Sequence, residues 1–318
     1  MKKIISLLLV LILMLSCGVC ASASEEPDYF TTREYWKQQG CIILNNVVYR
    51  KNKKSCTVKE FFTTDEAGNY IKELVIAEKI DGLPVTKIEF DDVDEDGYYR
   101  DIKDLTKIKK IVLPDTIKRI GERTFDDFKA VEKLNIPKSL KYIGSEAFYD
   151  VKSLKKLKLP DTVTYIGDGA FSGMESLEKF VFPPKVKNVP HDAFAACYGL
   201  KKVKISAKAI EIGMYAFAKC KNLKSITIPK SVKKIYEDTF NSCKKLAKVV
   251  IKCYKAPELQ SSAFHITKKG IRFQVRTRAI AKQFKKQLKE KGTNKAKIYV
   301  GKKLIYKNIT DDFWRINK

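Results

Sequence analysis

The sequence predicts a solenoid, a parallel β-strand ladder wound from short repeats with a β-rich N-terminal cap and an α/β C-terminal cap. Three observations carry that prediction. Phe125, Phe148, Phe171, Phe194, Phe217 and Phe240 stand 23 residues apart without a slip, and a fixed period in this range marks a stacked array. The other apolar positions keep the same interval: Val131 recurs as Leu154, Leu177, Leu200, Leu223 and Leu246, and Ile136 as Leu159, Phe182, Ile205, Ile228 and Ile251. Pro114, Pro137, Pro160, Pro183 and Pro229 mark one place in the unit, with Ser206 the exception, and Thr or Ala precedes every Phe of the column.

From the N-terminus, the chain opens with Lys2 and Lys3, a twelve-residue apolar run and then small residues, the pattern of an export signal too short to span a membrane. Val19-Cys20-Ala21 and Ala21-Ser22-Ala23 suit ordinary signal-peptidase cleavage, while Cys17 after Leu15 and Ser16 is the candidate for a lipid-modified N-terminus. Residues 1–23 are read as the signal and 24–87 as an N-terminal extension and β cap. Within that cap, Val47-Val48-Tyr49 and Cys56-Thr57-Val58 flank a polar turn, and ELVIAEKIDGLPVTKI leads into the first repeat.

Residues 88–265 form the solenoid, about seven to eight repeats. In the unit 131–153, Leu134 and Ile136 alternate across Asn135 as in a strand, and Pro137 ends it because proline cannot donate to a ladder. A second short extended piece follows, with Gly144 expected to turn the chain, then about one helical turn that packs Phe148 inward. One unit buries too few side chains to stand alone; stacking places the strands ~4.8 Å apart over a continuous core.

The C-terminal cap, 266–318, reads as a strand, a basic helix and a hairpin. Ile280, Phe284 and Leu288 share one helix face, Thr277 is placed to cap its start and Gly292 its end. Such a helix would cover the last open repeat, a cover solenoids need for solubility.

The pattern LxxLxLP…LxxIGxxAFxxC, running over residues 74 to 265, resembles the BspA-like class of bacterial leucine-rich repeats. The proline after LxL and the Ala-Phe pair separate it from the common type with Asn in that place. The resemblance implies a curved right-handed solenoid in a secreted or surface-attached bacterial protein of the adhesin kind. A fold alone does not supply a function.

Cys197, Cys220 and Cys243 fill one core column, held earlier by Phe128, Val151 and Met174, and read as small buried hydrophobes. Cys41 and Cys56 flank the cap hairpin and are a possible disulfide in an oxidising location. His191 and His265, the only histidines, sit in no zinc, phosphate-loop or nucleophile-elbow pattern. No base, nucleophile or metal cluster emerges, so a binding protein without cofactor is expected, and no enzyme.

One segment interrupts the period. Asp91 to Tyr99 is a nine-residue insert whose removal places Ile102 in the Phe column and Leu105 in the Cys column. It carries Asp92, Asp94, Asp96 and Gly97 in the spacing that opens a calcium loop, but Lys103 stands where the bidentate Glu belongs. An acidic solvated loop and a weak calcium site are the two readings.

Charge is the strongest functional signal. The chain carries a net +26, divided as +2 over 1–23, −5 over 24–100, +14 over 101–250 and +15 over 251–318. Lys110, Lys133, Lys156, Lys179, Lys202 and Lys248 occupy one column, broken by Ser225, at a position expected to point outward; Lys158 and Lys204 add to the same face. Ammonium groups ~4.8 Å apart repel by about 1 kcal/mol even in water, a tolerable cost, so the ladder does not by itself prove a function: one reading is a lysine-rich composition filling exposed strand positions, the other a positive track for an extended anion. An exported monomer binding an anionic polysaccharide or an acidic extracellular protein is the first reading. An envelope protein held electrostatically to wall polymer is the second, with membrane contact only through a lipid on Cys17. Nucleic acid is not expected as a partner, because the chain is exported and no aromatic residues interleave the lysines.

Overall fold

The computed structural model describes residues 33–90, 105–268, 270–291 and 296–309. The chain divides into two compact units, up to Gly40 and from Cys41 onward. In the first, the described part is the short helix Arg33–Gln38, closed by a turn in which Gly40 N–H donates to the Lys37 carbonyl at 3.0 Å. The signal segment with Cys17, the acidic insert with Asp92, Asp94 and Asp96, and Gly292 lie outside the described residues.

The second unit is the solenoid, and each coil has three sides. The first is a parallel strand ladder: Glu73–Val75, Lys110–Val112 and Lys133–Leu134 pair in order, then Lys179–Val181 with Lys202–Lys204, then Ser225–Ile228, Lys248–Ile251, Arg272–Val275 and Ala296–Val300. Its apolar residues alternate inward, as Ile226 and Ile228 do between exposed Ser225 and Thr227. The second side is a ladder of shorter strands whose inward column runs Ile88, Ile120, Ile143, Ile166, Val189, Ile212, Ile235 and Leu259, all buried. Ile88 pairs with Ile120 across 32 residues, the period plus nine, so the ladder keeps its register in spite of the nine extra residues between them.

The third side carries the Phe column. Where one helical turn is expected, two overlapping β-turns form, with Tyr149 N–H donating to Glu146 O and Val151 N–H to Phe148 O. The turns also bond from coil to coil: Phe148 N–H to Ala170 O at 2.9 Å and Phe194 N–H to Ala216 O at 2.8 Å. This geometry needs left-handed backbone twice per coil, at the columns of Glu146 and Asp150, and most of the residues there are not glycine.

Inside, the phenyl rings stack at 5.2–5.8 Å from Phe125 to Phe240, and Phe264 continues the pile as a seventh ring at 5.0 Å after a spacing of 24. The Thr and Ala residues before them are buried, and the two threonines satisfy their hydroxyls locally: Thr239 Oγ1 donates to Tyr236 O at 2.8 Å. Gly144 serves a different purpose from the expected turn. It has no positive φ; a Cβ there would lie 2.5 Å from the Glu122 backbone nitrogen, so its bare Cα lets two coils approach.

The ends are closed on opposite ladders. The N-terminal meander Ile42–Leu44, Val47–Lys51, Cys56–Phe61 joins the second ladder through the pairing of Cys56–Phe61 with Leu83–Ile88. The hairpin Ala296–Val300 with Lys303–Ile309 extends the first. Between them the helix Arg278–Lys291 buries Ile280, Phe284 and Leu288 as expected, and Thr277 Oγ1 accepts the Ile280 N–H at 3.3 Å. Gln287 continues the second ladder in side-chain form, its Oε1 accepting Leu259 N–H at 2.7 Å and its Nε2 donating to Pro257 O at 3.0 Å.

The cap strands correct one expectation. Cys41 and Cys56 are both free, buried thiols. Cys41 adjoins the first strand of the meander and Cys56 opens the third, so the middle strand lies between them. Two strand spacings of ~4.8 Å exceed the reach of a disulfide.

Candidate binding surface

The lysine column stands on the outer face of the first ladder. Backbone pairing sets Lys110 beside Lys133, Lys179 beside Lys202, and Ser225 beside Lys248, and Arg272 and Lys297 extend the column into the cap. Lys110, Lys133, Lys156, Lys179, Lys202 and Lys248 are all exposed, as are Lys158 and Lys204 two positions further along their strands. The alternation that turns Phe180 and Val203 toward the core turns the lysines out.

The column is not electrically uniform. At its N-terminal end Lys110 Nζ lies 2.7 Å from Glu73, which occupies the same column one coil earlier. The column immediately before it holds Glu132 and Glu178, a detail that a reading of the lysines alone misses, and Glu178 is bound by Lys201 at 2.6 Å. The Lys201 ammonium and its hydrogen bond hold the Glu178 carboxyl below its ordinary range. Among the described residues Lys133, Lys156, Lys179, Lys202 and Lys248 have no carboxylate within ion-pair distance.

The ladder also breaks where these lysines are densest. Asn135 turns its amide onto the preceding coil, accepting Leu113 N–H at 2.9 Å and donating to Leu113 O at 2.6 Å. A side chain thus holds the place a strand backbone would take, pairing stops at Leu134, and no strand forms at 155–160. A depression of about 1010 Å³ opens on one side of that coil, lined among others by Lys110, Lys133 and Lys156. Another of about 580 Å³ lies on the other side, between Lys156, Lys158 and Lys179. The arrangement offers two recesses on an open face, rimmed mainly by lysines, with Glu132 in the first and Asp161 and Glu178 in the second.

The other candidate residues are absorbed by structure. Cys197, Cys220 and Cys243 are buried, and their thiols donate to the carbonyls of Phe171, Phe194 and Phe217 at 3.0–3.2 Å. Burial pushes all three thiols up, Cys243 to about 12, which suppresses the reactive thiolate. His191 links two coils, its Nδ1 accepting Met214 N–H at 2.9 Å. Among the described residues no three His, Cys, Asp or Glu side chains converge as a metal site, and no helix is long and apolar enough to cross a membrane.

Comparison with known proteins bears on the architecture. A family model described as a BspA type leucine rich repeat region matches six copies, over residues 102–210 and 187–283. The crystal structure of a leucine rich cell surface protein from Faecalibacterium prausnitzii is similar at 19% identity and a TM-score of 0.58, over 74% of this chain and 70% of that one. A leucine-rich repeat protein from Bacteroides ovatus has 20% identity, the same coverage and a TM-score of 0.46. A leucine rich repeat protein from T. pallidum has 22% identity over 57% of this chain and 90% of its own, with a TM-score of 0.45. No curated protein matches the chain.

Proposed function

Because the chain belongs to the BspA-type leucine-rich repeat family, we propose that it is an exported surface protein whose lysine face binds an extended anionic partner. Sulfated or sialylated glycans come first in this reading and acidic proteins second. The supporting observation is the run Lys133, Lys156, Lys179 and Lys202: four ammonium groups at the repeat interval without carboxylate partners, the first three at the recesses where the ladder breaks and Lys202 paired beside Lys179. Charges held on a fixed backbone repeat match a polymer with a charge on each unit, and the open face admits a chain of any length. The chemistry is electrostatic holding, not catalysis. The second similarity that supports surface display is the Faecalibacterium protein, whose description is of a cell surface protein.

The test is a screen of sulfated, sialylated and neutral glycans and matrix proteins at about 0.05 and 0.3 M salt, where screening lengths differ by more than twofold. Retention of anionic glycans that falls steeply with salt supports the reading. Salt-insensitive binding of a single protein contradicts it.

A further inference from the structure

A second exposed column, on the outer face of the second ladder, has a different character. In register it runs Lys87, Arg119, Tyr142, Tyr165, Asn188, Glu211, Lys234 and Glu258. Its N-terminal part is a built stack. Glu89 holds the Arg119 guanidinium by an ion pair, the guanidinium lies 3.5 Å from the centre of the Tyr142 ring, and Tyr142 and Tyr165 stack at 4.6 Å with 6° between their planes. Tyr165 is the last member and is 47% exposed. Strand pairing runs from Arg119 to Tyr165 and resumes between Asn188 and Glu211, with none between Tyr165 and Asn188. The ring is therefore fixed on one face by Tyr142, and the break lies on its other side.

We propose that this outer face of Tyr165 is a stacking site for a neutral pyranose ring. The face of a phenol ring carries the negative part of its quadrupole and attracts the weakly positive C–H bonds of a sugar with equatorial hydroxyls. Because the stack is already formed, little conformational freedom is lost on binding. The polar groups nearby suit hydroxyls better than phosphates. Asn188, next in the column, offers an amide, and the Asp168 carboxylate is held by accepting His191 N–H at 2.9 Å. Asp168 is near enough to raise the Tyr165 hydroxyl's pKa, after burial and Tyr142. Arg119 is the cation whose charge opposes that of Asp168 at Tyr165, so the surroundings are mixed where the first ladder is cationic. A nucleobase would stack equally well on the ring, but its phosphate would meet Asp168.

This site is independent of the lysine face, and its test keeps the two apart. Hexamers of β-1,4-linked glucose, β-1,4-linked N-acetylglucosamine and α-1,4-linked glucose are titrated into the intact protein at about 0.3 M salt, where exposed charges are screened, with the tyrosine ring resonances observed. A β-linked hexamer is expected to shift the Tyr165 ring. Tyr165→Ala should weaken binding by roughly five- to a hundredfold, the range of one aromatic stacking contact, while Tyr165→Phe retains it. A variant with Lys133, Lys156, Lys179 and Lys202 changed to Gln should bind the same hexamer unchanged. Absence of binding by every hexamer, equal affinity of Tyr165→Ala with unchanged circular dichroism, or a Tyr165-dependent preference for a thymidine hexanucleotide would each overturn the proposal.

Discussion

The phenylalanine column and the lysine column have the same 23-residue spacing and ride on the same coils, yet the physics of repetition acts oppositely on them. Identical phenyl rings inside the coil stack at 5.0–5.8 Å and reinforce one another. Identical ammonium groups outside it repel. Repetition of an apolar residue is therefore explained by the fold alone, whereas repetition of an exposed lysine is not, and that difference is what directs attention to the strand face.

The largest effect should come from breaking the inner column. Phe194 packs against Phe171, Phe180, Phe182 and Phe217 and is fully buried. Phe194→Ala should cost about 3–5 kcal/mol in chemical unfolding followed by circular dichroism; a loss below about 1 kcal/mol would mean that the pile is not a continuous core. Next comes the closeness of the coils. Gly144→Ala drives a Cβ to within 2.5 Å of backbone and should cost about 1–3 kcal/mol. An unchanged melting temperature would show that the coils can spread at this position; Pro190 and Tyr236 occupy the same column in later coils.

A smaller effect should appear beside the phenyl pile. Asp126 is largely buried, its Oδ1 lacks a hydrogen bond, and burial followed by the charge of Asp127 pushes its carboxyl from 3.8 up to about 6. The folded state then holds this proton more tightly than the unfolded chain. Its contribution is fully present below about pH 4, declines as pH rises toward 6, and is gone above that. Asp126→Asn should therefore raise stability at pH 7 and change it little at pH 4, measured by unfolding at both values. Equal shifts at the two pH values would contradict the assignment.

Much of this was legible because the repeat turns one position into a column. The apolar columns gave the ladders, the register located the insert between Ile88 and Ile120, and the outward place of the lysines followed from strand alternation. What stayed hidden depends on contacts between coils. The paired β-turns leave no composition signal, since Arg123, Tyr215, Lys219 and Ile266 adopt left-handed backbone along with Gly169 and Gly173. The break at 155–160 hangs on one amide, Asn135, whose position in the strand was visible but whose bonds to Leu113 were not. The Tyr142 and Tyr165 pair sits at the repeat interval, a signal that the lysine columns overshadowed. Spacing alone left Cys41 and Cys56 open to bridging, because it does not fix the order of the cap strands.

The smallest expected effect on stability accompanies the largest on binding, and it tests the central claim most directly. Replacing Lys133, Lys156, Lys179 and Lys202 with Gln should change unfolding free energy by about 1 kcal/mol or less, since these side chains are exposed. Retention on an immobilised sulfated glycan at low salt should be abolished in that variant and strong in the unaltered protein. Retention unchanged by the four substitutions would contradict the assignment of the strand face as the binding surface.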